Sequence, residues 1–285
     1  MVATKLTKEL VEKFIPSRKN NSRKGDNGKV LVVGGSYIYH GAPALSSLAA
    51  LRSGSDLVYT CVPKINAFST RSLSPDLIVI PMADSKLTRG TVNKMLGQVP
   101  VDIDSTAIGM GLAIQDIEAI KSLVKSLLDR NVRISLDASS LVKEILPIIE
   151  GHNVVVTPHS GEFKRIFGEP VEDEINSRIS SCEKFAKKHS ITILLKGQND
   201  IITNGDVTYT NSTLTPCMTV GGTGDVLSGL TAGFLSRNKN MIESASAAAF
   251  VNGAAGEILQ KEIGNHILPS DLISILPKVL NSFNN

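Results

Sequence analysis

Val30-Leu31-Val32-Val33 is an unbroken apolar run rich in β-branched side chains, halted by Gly34-Gly35. Residues 42–52 then carry small and apolar side chains at helical spacing, so the segment reads as strand, turn, helix. The alternation recurs, predicting strands near 57–60, 77–80, 107–109, 134–136, 154–157 and 191–195, with helices over 114–128 and 172–188. Strands apolar on both sides and separated by helices imply a mostly parallel central sheet with helices on both faces. Asn204-Gly205 falls between two alternating runs, 200–203 and 206–209, and predicts a hairpin and an antiparallel edge. From Thr223 onward the pattern is helical, with Pro269 starting a last helix. Leu6, Leu10, Val11 and Phe14 form a short amphipathic opening, and the polar stretch 17–28 reads as a mobile loop. No Pro/Gly/Ser linker or internal repeat breaks the pattern, so one domain over 1–285 is expected.

Composition narrows the function classes. The 30 basic and 27 acidic residues are spread along the chain for a net charge of +3, and with no Trp and 4% aromatic residues a nucleic-acid surface is not indicated. Cys61, Cys182 and Cys217 match no zinc or CxxC spacing, which fits free thiols in a reducing compartment. The start, Met1 to Leu6, carries no secretory apolar core, so a cytoplasmic location is expected. The apolar stretch 245–255, interrupted by Asn252, falls short of the ~20 residues that span a bilayer and reads as a buried helix.

The strongest chemical signal is Gly221-Gly222-Thr223-Gly224-Asp225 ahead of a helix. Glycines permit the backbone to expose a row of amides at the helix start, an anion hole for phosphate. A carboxylate beside that hole can take a proton from an attacking hydroxyl while the amides stabilise the phosphoryl charge. Taken alone, Gly-Asp reads better as a helix cap behind a glycine turn. Neither GxGxxG nor GxxxxGK[ST] occurs, which argues against a Rossmann dehydrogenase and a P-loop ATPase.

Three further segments precede it in order: Lys29 to Ser36 followed by Gly41-Ala42-Pro43, Thr157-Pro158-His159-Ser160-Gly161-Glu162-Phe163, and Leu195-Lys196-Gly197. With these, the chain resembles the NAD(P)H-hydrate dehydratase family, a branch of the ribokinase-like superfamily, over residues 25–276. The resemblance implies an α/β ribokinase-like three-layer sandwich that uses ADP or ATP, with Mg²⁺, to phosphorylate the hydroxyl of hydrated NADH or NADPH. Loss of phosphate then restores the cofactor, and ADP is the donor expected here. It implies that Asp225 is the base and that Gly222, Thr223 and Gly224 form the hole. Lys196, Gly197, Gln198, Asn199, Asp200 and Gly224 are implied to hold the nucleotide, and Ala42, Gly109, Gly111, His159 and Asp225 the hydrate. Glu162 is implied to reach magnesium through water; a helix cap is an equal reading of it, with Ser160 as the N-cap. A tetramer and a separate epimerase are further implications.

The family pattern is broken twice. Asp137-Ala138-Ser139 stands where relatives commonly carry Asp-Ala-Asp, and Leu214-Thr215-Pro216 where Gly-Asn is usual. The first leaves no second acidic residue there; the second bears on nucleotide or substrate fit. Two alternatives remain: a small-alcohol kinase such as a hydroxyethylthiazole kinase, and a non-catalytic nucleotide-binding module.

Overall fold

The computed structural model describes residues 3–18, 20–83, 85–213 and 215–283. The chain opens with β1 (Thr4–Lys5) and α1 (Lys8–Glu12), then β2 (Lys29–Val33), α2 (Gly41–Arg52), β3 (Leu57–Pro63), α3 (Ala67–Leu73) and β4 (Ile78–Met82). Next come α4 (Arg89–Leu96), β5 (Ser105–Ile108), α5 (Ile117–Leu128), β6 (Arg133–Leu136), α6 (Leu146–Ile149), β7 (Val154–Val156) and α7 (Ser160–Phe167). The last third holds α8 (Ile175–His189), β8 (Thr192–Leu195), β9 (Asp200–Thr203), β10 (Thr208–Asn211), α9 (Thr223–Arg237), α10 (Met241–Ile263) and α11 (Pro269–Asn281). One ten-stranded sheet runs β1-β10-β9-β8-β7-β6-β5-β2-β3-β4. The strands from β8 to β4 pair in parallel, whereas β9 is antiparallel to both β8 and β10. The hairpin at Asn204-Gly205 is therefore present, and the short β1 lies beyond it, parallel to β10.

Burial on both sides explains the continuous apolar strands. Along β7, Val154 and Val156 join a core with Leu123, Phe163 and Phe185 from α5, α7 and α8. Val155 points the other way, into a core with Phe234, Ala248 and Leu272 from α9, α10 and α11. This is the three-layer arrangement the pattern predicts. Among the described residues no helix is long and apolar enough to cross a membrane; the stretch 245–255 is the middle of α10, largely buried in the second core.

Strand order reverses between β2 and β5, so the crevice opens at their carboxyl ends, where Gly34-Gly35 and Gly109 turn the chain. The polar stretch 17–28, of which Lys19 lies outside the described residues, lies at the opposite, amino ends of β2 and β3. It is irregular but tethered: Asp56 accepts from the amides of Gly25 (2.8 Å) and Asn27 (3.1 Å) and pairs with Arg18.

The α2–α9 crossing is built from small residues. A Cβ on Gly229 would sit 2.0 Å from the Ser46 carbonyl oxygen, and one on Gly233 would sit 2.0 Å from Ser53 Oγ. Because the Ser46 obstacle is backbone, Gly229→Ala must push the helices apart. We expect it to cost about 1–3 kcal/mol, seen as a fall of several degrees in Tm by calorimetry. An unchanged Tm would mean the crossing tolerates spacing that the packing forbids.

Candidate active site

Gly222 adopts φ +106, a conformation glycine reaches without strain, and turns the chain directly into α9. A Cβ there would meet Pro269 Cγ at 2.7 Å and Leu45 Cδ1 at 3.1 Å, so α2 and α11 both lean on this turn. Thr223 turns its hydroxyl back to the Met218 carbonyl (2.8 Å), which fastens the loop; its amide lies 3.4 Å from Val220 O. Thr223 thus shapes the hole chiefly by bracing it. The following first-turn amides, Gly224 and Asp225, have no intrahelical acceptor by position and carry the positive end of the helix.

Two cavities meet at Gly221-Gly222. One, about 680 Å³, is bordered by Lys196, Gly197, Gln198, Gly224, Leu227 and Asn252. The other, about 810 Å³, is bordered by Tyr39, Ala42, Gly111, Glu162, Arg165 and Asp225. Asp225 therefore faces one cavity and Gly224 the other, a division that transfer between two ligands would use.

Lys196 joins them electrically. Its Nζ donates to Asp137 Oδ1 (2.8 Å) and lies 3.6 Å from Glu162 Oε2, and a Cβ on Gly224 would lie 3.7 Å from it. Burial opposes the charge on Lys196, but the two carboxylates outweigh it and raise the ammonium above the usual lysine range. Burial pushes Asp225 up to about 7; Asp137 pushes the same way and Lys196 against it. A carboxyl with that affinity is matched to taking a proton near neutrality.

The segment 196–199 is the tight connection of the β8–β9 hairpin. The Lys196 amide donates to Pro158 O (2.8 Å), which holds this turn against the His159 segment. A Cβ on Gly197 would fall 2.6 Å from Arg178 Nη2, so a side chain there would displace the guanidinium. Arg178, buried on α8, reaches Ser160 Oγ (3.2 Å) and the Lys196 carbonyl (3.4 Å). Asp200 is fully buried, accepts from Gly197 N (3.1 Å) and Asn211 Nδ2 (3.1 Å), and is pushed up to about 7 by burial. Its carboxyl braces the turn, and Asp200 and Gln198 both border the cavity. Asn199 belongs to the same turn but does not border the cavity.

Across the crevice, Ala42 and Gly111 lie in the wall of the larger cavity, whereas Gly109 lies behind it. A Cβ on Gly109 would stand 1.9 Å from the Asp137 carbonyl oxygen, so this glycine serves backbone packing. Ser139 Oγ lies 2.7 Å from both the Gly109 and Leu112 carbonyls. A carboxylate has no proton to donate there, so serine at 139 gives this turn a brace that the family's usual aspartate cannot. The helix cap is His159 rather than Ser160: its Nδ1 accepts from Gly161 N (3.0 Å) and Glu162 N (3.3 Å), while Glu162 Oε2 accepts from His159 N (2.9 Å). A ring nitrogen has displaced the serine hydroxyl, and the exposed imidazole borders the cavity of Lys196, not that of Asp225. Of the second break in the family pattern, Leu214 lies outside the described residues. Pro216 begins a short 3₁₀ turn, Pro216–Thr219, along the smaller cavity.

Asp137, Arg178 and Asn252 are the contributors that sequence reasoning passed over. Asp137 stood in the broken Asp-Ala-Asp segment and Asn252 interrupted an apolar run; Arg178 gave no local signal. Among the described residues no cluster of three or more His, Cys, Asp and Glu side chains could hold a metal, and Lys196 lies between Asp137 and Glu162.

A family model described as NAD(P)H-hydrate dehydratase matches residues 30–278. The ADP-dependent (S)-NAD(P)H-hydrate dehydratase of Nitrosopumilus maritimus is 62% identical over 283 residues, 99% of each chain. The Bacillus subtilis ADP/ATP-dependent NAD(P)H-hydrate dehydratase, co-crystallised with ATP/Mg²⁺, superposes with a TM-score of 0.84 at 27% identity, covering 99% of each chain. A hydroxyethylthiazole kinase from Pyrococcus horikoshii superposes at 0.63 with 14% identity, covering 96% of this chain and 95% of its own, a likeness of fold alone.

Proposed function

Because this chain belongs to the NAD(P)H-hydrate dehydratase family, we propose that its two cavities divide one reaction, the nucleotide lying along Lys196 and Gly224 and the hydrate against Asp225. The enzyme is an ADP-dependent lyase of ribokinase-like fold that returns hydrated NADH or NADPH to the intact cofactor. Asp225 takes the proton of the hydrate hydroxyl, whose oxygen attacks the terminal phosphorus of ADP as AMP departs. The C–O bond then breaks with its electron pair leaving on phosphate, the neighbouring ring carbon loses a proton, and the dihydropyridine double bond is restored. The first-turn amides of α9 and Lys196 face the charge that gathers on the transferring phosphoryl group. Magnesium suits the site as a partner of the nucleotide phosphates, with Glu162 reached through water, and would neutralise phosphate charge there. Ala42 and Gly111 let the flat nicotinamide end lie close to backbone. His159 borders the nucleotide cavity and offers Nε2 there, its Nδ1 being held by the cap. A single domain over 1–285, a cytoplasmic location and a tetramer complete the reading.

The observation that carries this reading is the placement of Asp225 at the mouth of α9, where both cavities meet. Turnover of chemically prepared NADH hydrate tests it. With ADP the expected outcome is recovery of reduced-nicotinamide absorbance with one inorganic phosphate released per cofactor, faster than with ATP. A stable phosphorylated alcohol in place of free phosphate would mark the protein as a kinase.

A further inference from the structure

We propose that Arg165 holds the pyrophosphate of the hydrated dinucleotide, its guanidinium serving as the anion-binding group of the larger cavity. The proposal rests on the assignment of that cavity to the hydrate and goes beyond it by naming what grips the substrate away from its reacting ring.

Arg165 stands in the last turn of α7 and borders the larger cavity, its side chain 47% exposed. Two backbone carbonyls fix the guanidinium: Nε donates to Leu141 O at 2.7 Å, and Nη2 donates to Ala138 O. Glu162 Oε1 stands 4.0 Å from Nη2, and that carboxylate already faces His159 and Lys196 through its two oxygens. Among the described residues Nη1 meets no acceptor. The protein therefore orients this guanidinium and leaves most of its N–H donors unused.

The cavity calls for a positive group. Asp225 and Glu162 both border it, and among its described residues Arg165 is the one with a fixed positive charge, His40 being the other basic side chain. A hydrated NADH or NADPH brings a negatively charged pyrophosphate, which the two carboxylates alone would repel. The start of α2 adds to the attraction: Gly41 and Ala42 border the same cavity, no side chain caps the helix, and its first amides have no intrahelical acceptor by position. An arginine oriented before the ligand arrives gives up little freedom on binding, and its planar fork matches a pair of phosphate oxygens.

The test compares NADH with reduced nicotinamide riboside, which lacks the pyrophosphate, as competitors of NADH hydrate on the unmodified enzyme, Arg165→Leu and Arg165→Lys. Arg165→Leu is expected to raise Ki for NADH roughly 10- to 100-fold, the scale of hydrogen bonds to a charged group, and Ki for the riboside less than about threefold. Kd for ADP, bound in the other cavity, should not move. Arg165→Lys keeps the charge without the fork; it should show the same selectivity at smaller size, which decides the matter if the leucine variant does not fold. An equal loss for both competitors would make Arg165 a brace for Ala138 and Leu141 and overturn the assignment, as would unchanged Ki values in both variants. Either result leaves the dehydratase reading intact, whereas failure of the unmodified protein to turn over NADH hydrate would overturn that reading itself.

Discussion

Asp225→Asn is expected to lower kcat by at least ~100-fold while the Kd for ADP, set in the neighbouring cavity, stays within a few-fold of the parent. The asparagine keeps the shape and removes the proton acceptor. In the parent the working form is the carboxylate, which burial, seconded by Asp137, holds protonated up to about pH 7. kcat/KM should therefore rise about tenfold per pH unit on the acid side and level off above pH 7; the variant should lack that limb. Stability should move the other way. A carboxyl whose folded value exceeds its unfolded one binds more protons in the native state, so its contribution is present at low pH and is lost as pH climbs through about 7. At pH 8 the parent must bury a charge that Asp225→Asn does not, and calorimetry should find the variant the more heat-stable of the two, with the gap closing toward pH 4. A variant that keeps a large share of its turnover would remove Asp225 from the chemistry altogether.

Lys196→Met should do damage of a different kind. Asp137 and Glu162, with side chains 3% and 9% exposed, would lose the ammonium that offsets their charge. Removing one member of a buried ion pair typically costs about 3–5 kcal/mol, so a marked fall in Tm is expected. Lys196 is also the group that pulls the affinity of Asp225 for protons down, and without it the acid limb should shift to higher pH as turnover drops. A merely structural lysine would lower Tm without moving that limb. Adding Asp137→Asn should restore part of the stability, since one of the two stranded charges goes too, yet leave phosphate transfer impaired. An unmoved limb together with full recovery in the double variant would relegate Lys196 to packing.

The scaffold was legible wherever local sequence is decided by burial. Val30 to Val33 and Val154 to Val156 have apolar neighbours on both faces, so their uniform composition announces a covered parallel sheet. Asn204-Gly205 announces its hairpin because Gly205 takes a positive φ that side chains resist and Asn204 Oδ1 accepts from the amides of Asp206 and Val207. The short α3 and α4 left little trace: α3 buries few residues, and α4 is capped by Thr88 with Thr91 where a glutamate is the more recognisable signal. In the site, Gly222 to Asp225 could be read because glycines before an apolar helix start have a local meaning. Asp137 and Lys196 are 59 positions apart, and Asn252 is separated from Thr223 by 29. Their roles arise only when the sheet brings the strand ends together, and no spacing along the chain encodes that. The misassigned cap has the same origin, since which of two neighbours, His159 or Ser160, turns its acceptor onto the helix depends on how the chain enters.

The two cavities share one short partition, Gly221-Gly222, with no side chain to cushion either face. The same peptide planes bound both sides, and a side chain added at Gly222 would strike Pro269 and Leu45. Any effect of one ligand on the other's hold across this single layer of backbone must, by thermodynamic reciprocity, be the same factor in both directions. A single substitution in this partition would touch the walls of both cavities at once, so the hold on the phosphoryl donor could not be altered there independently of the hold on the hydrate.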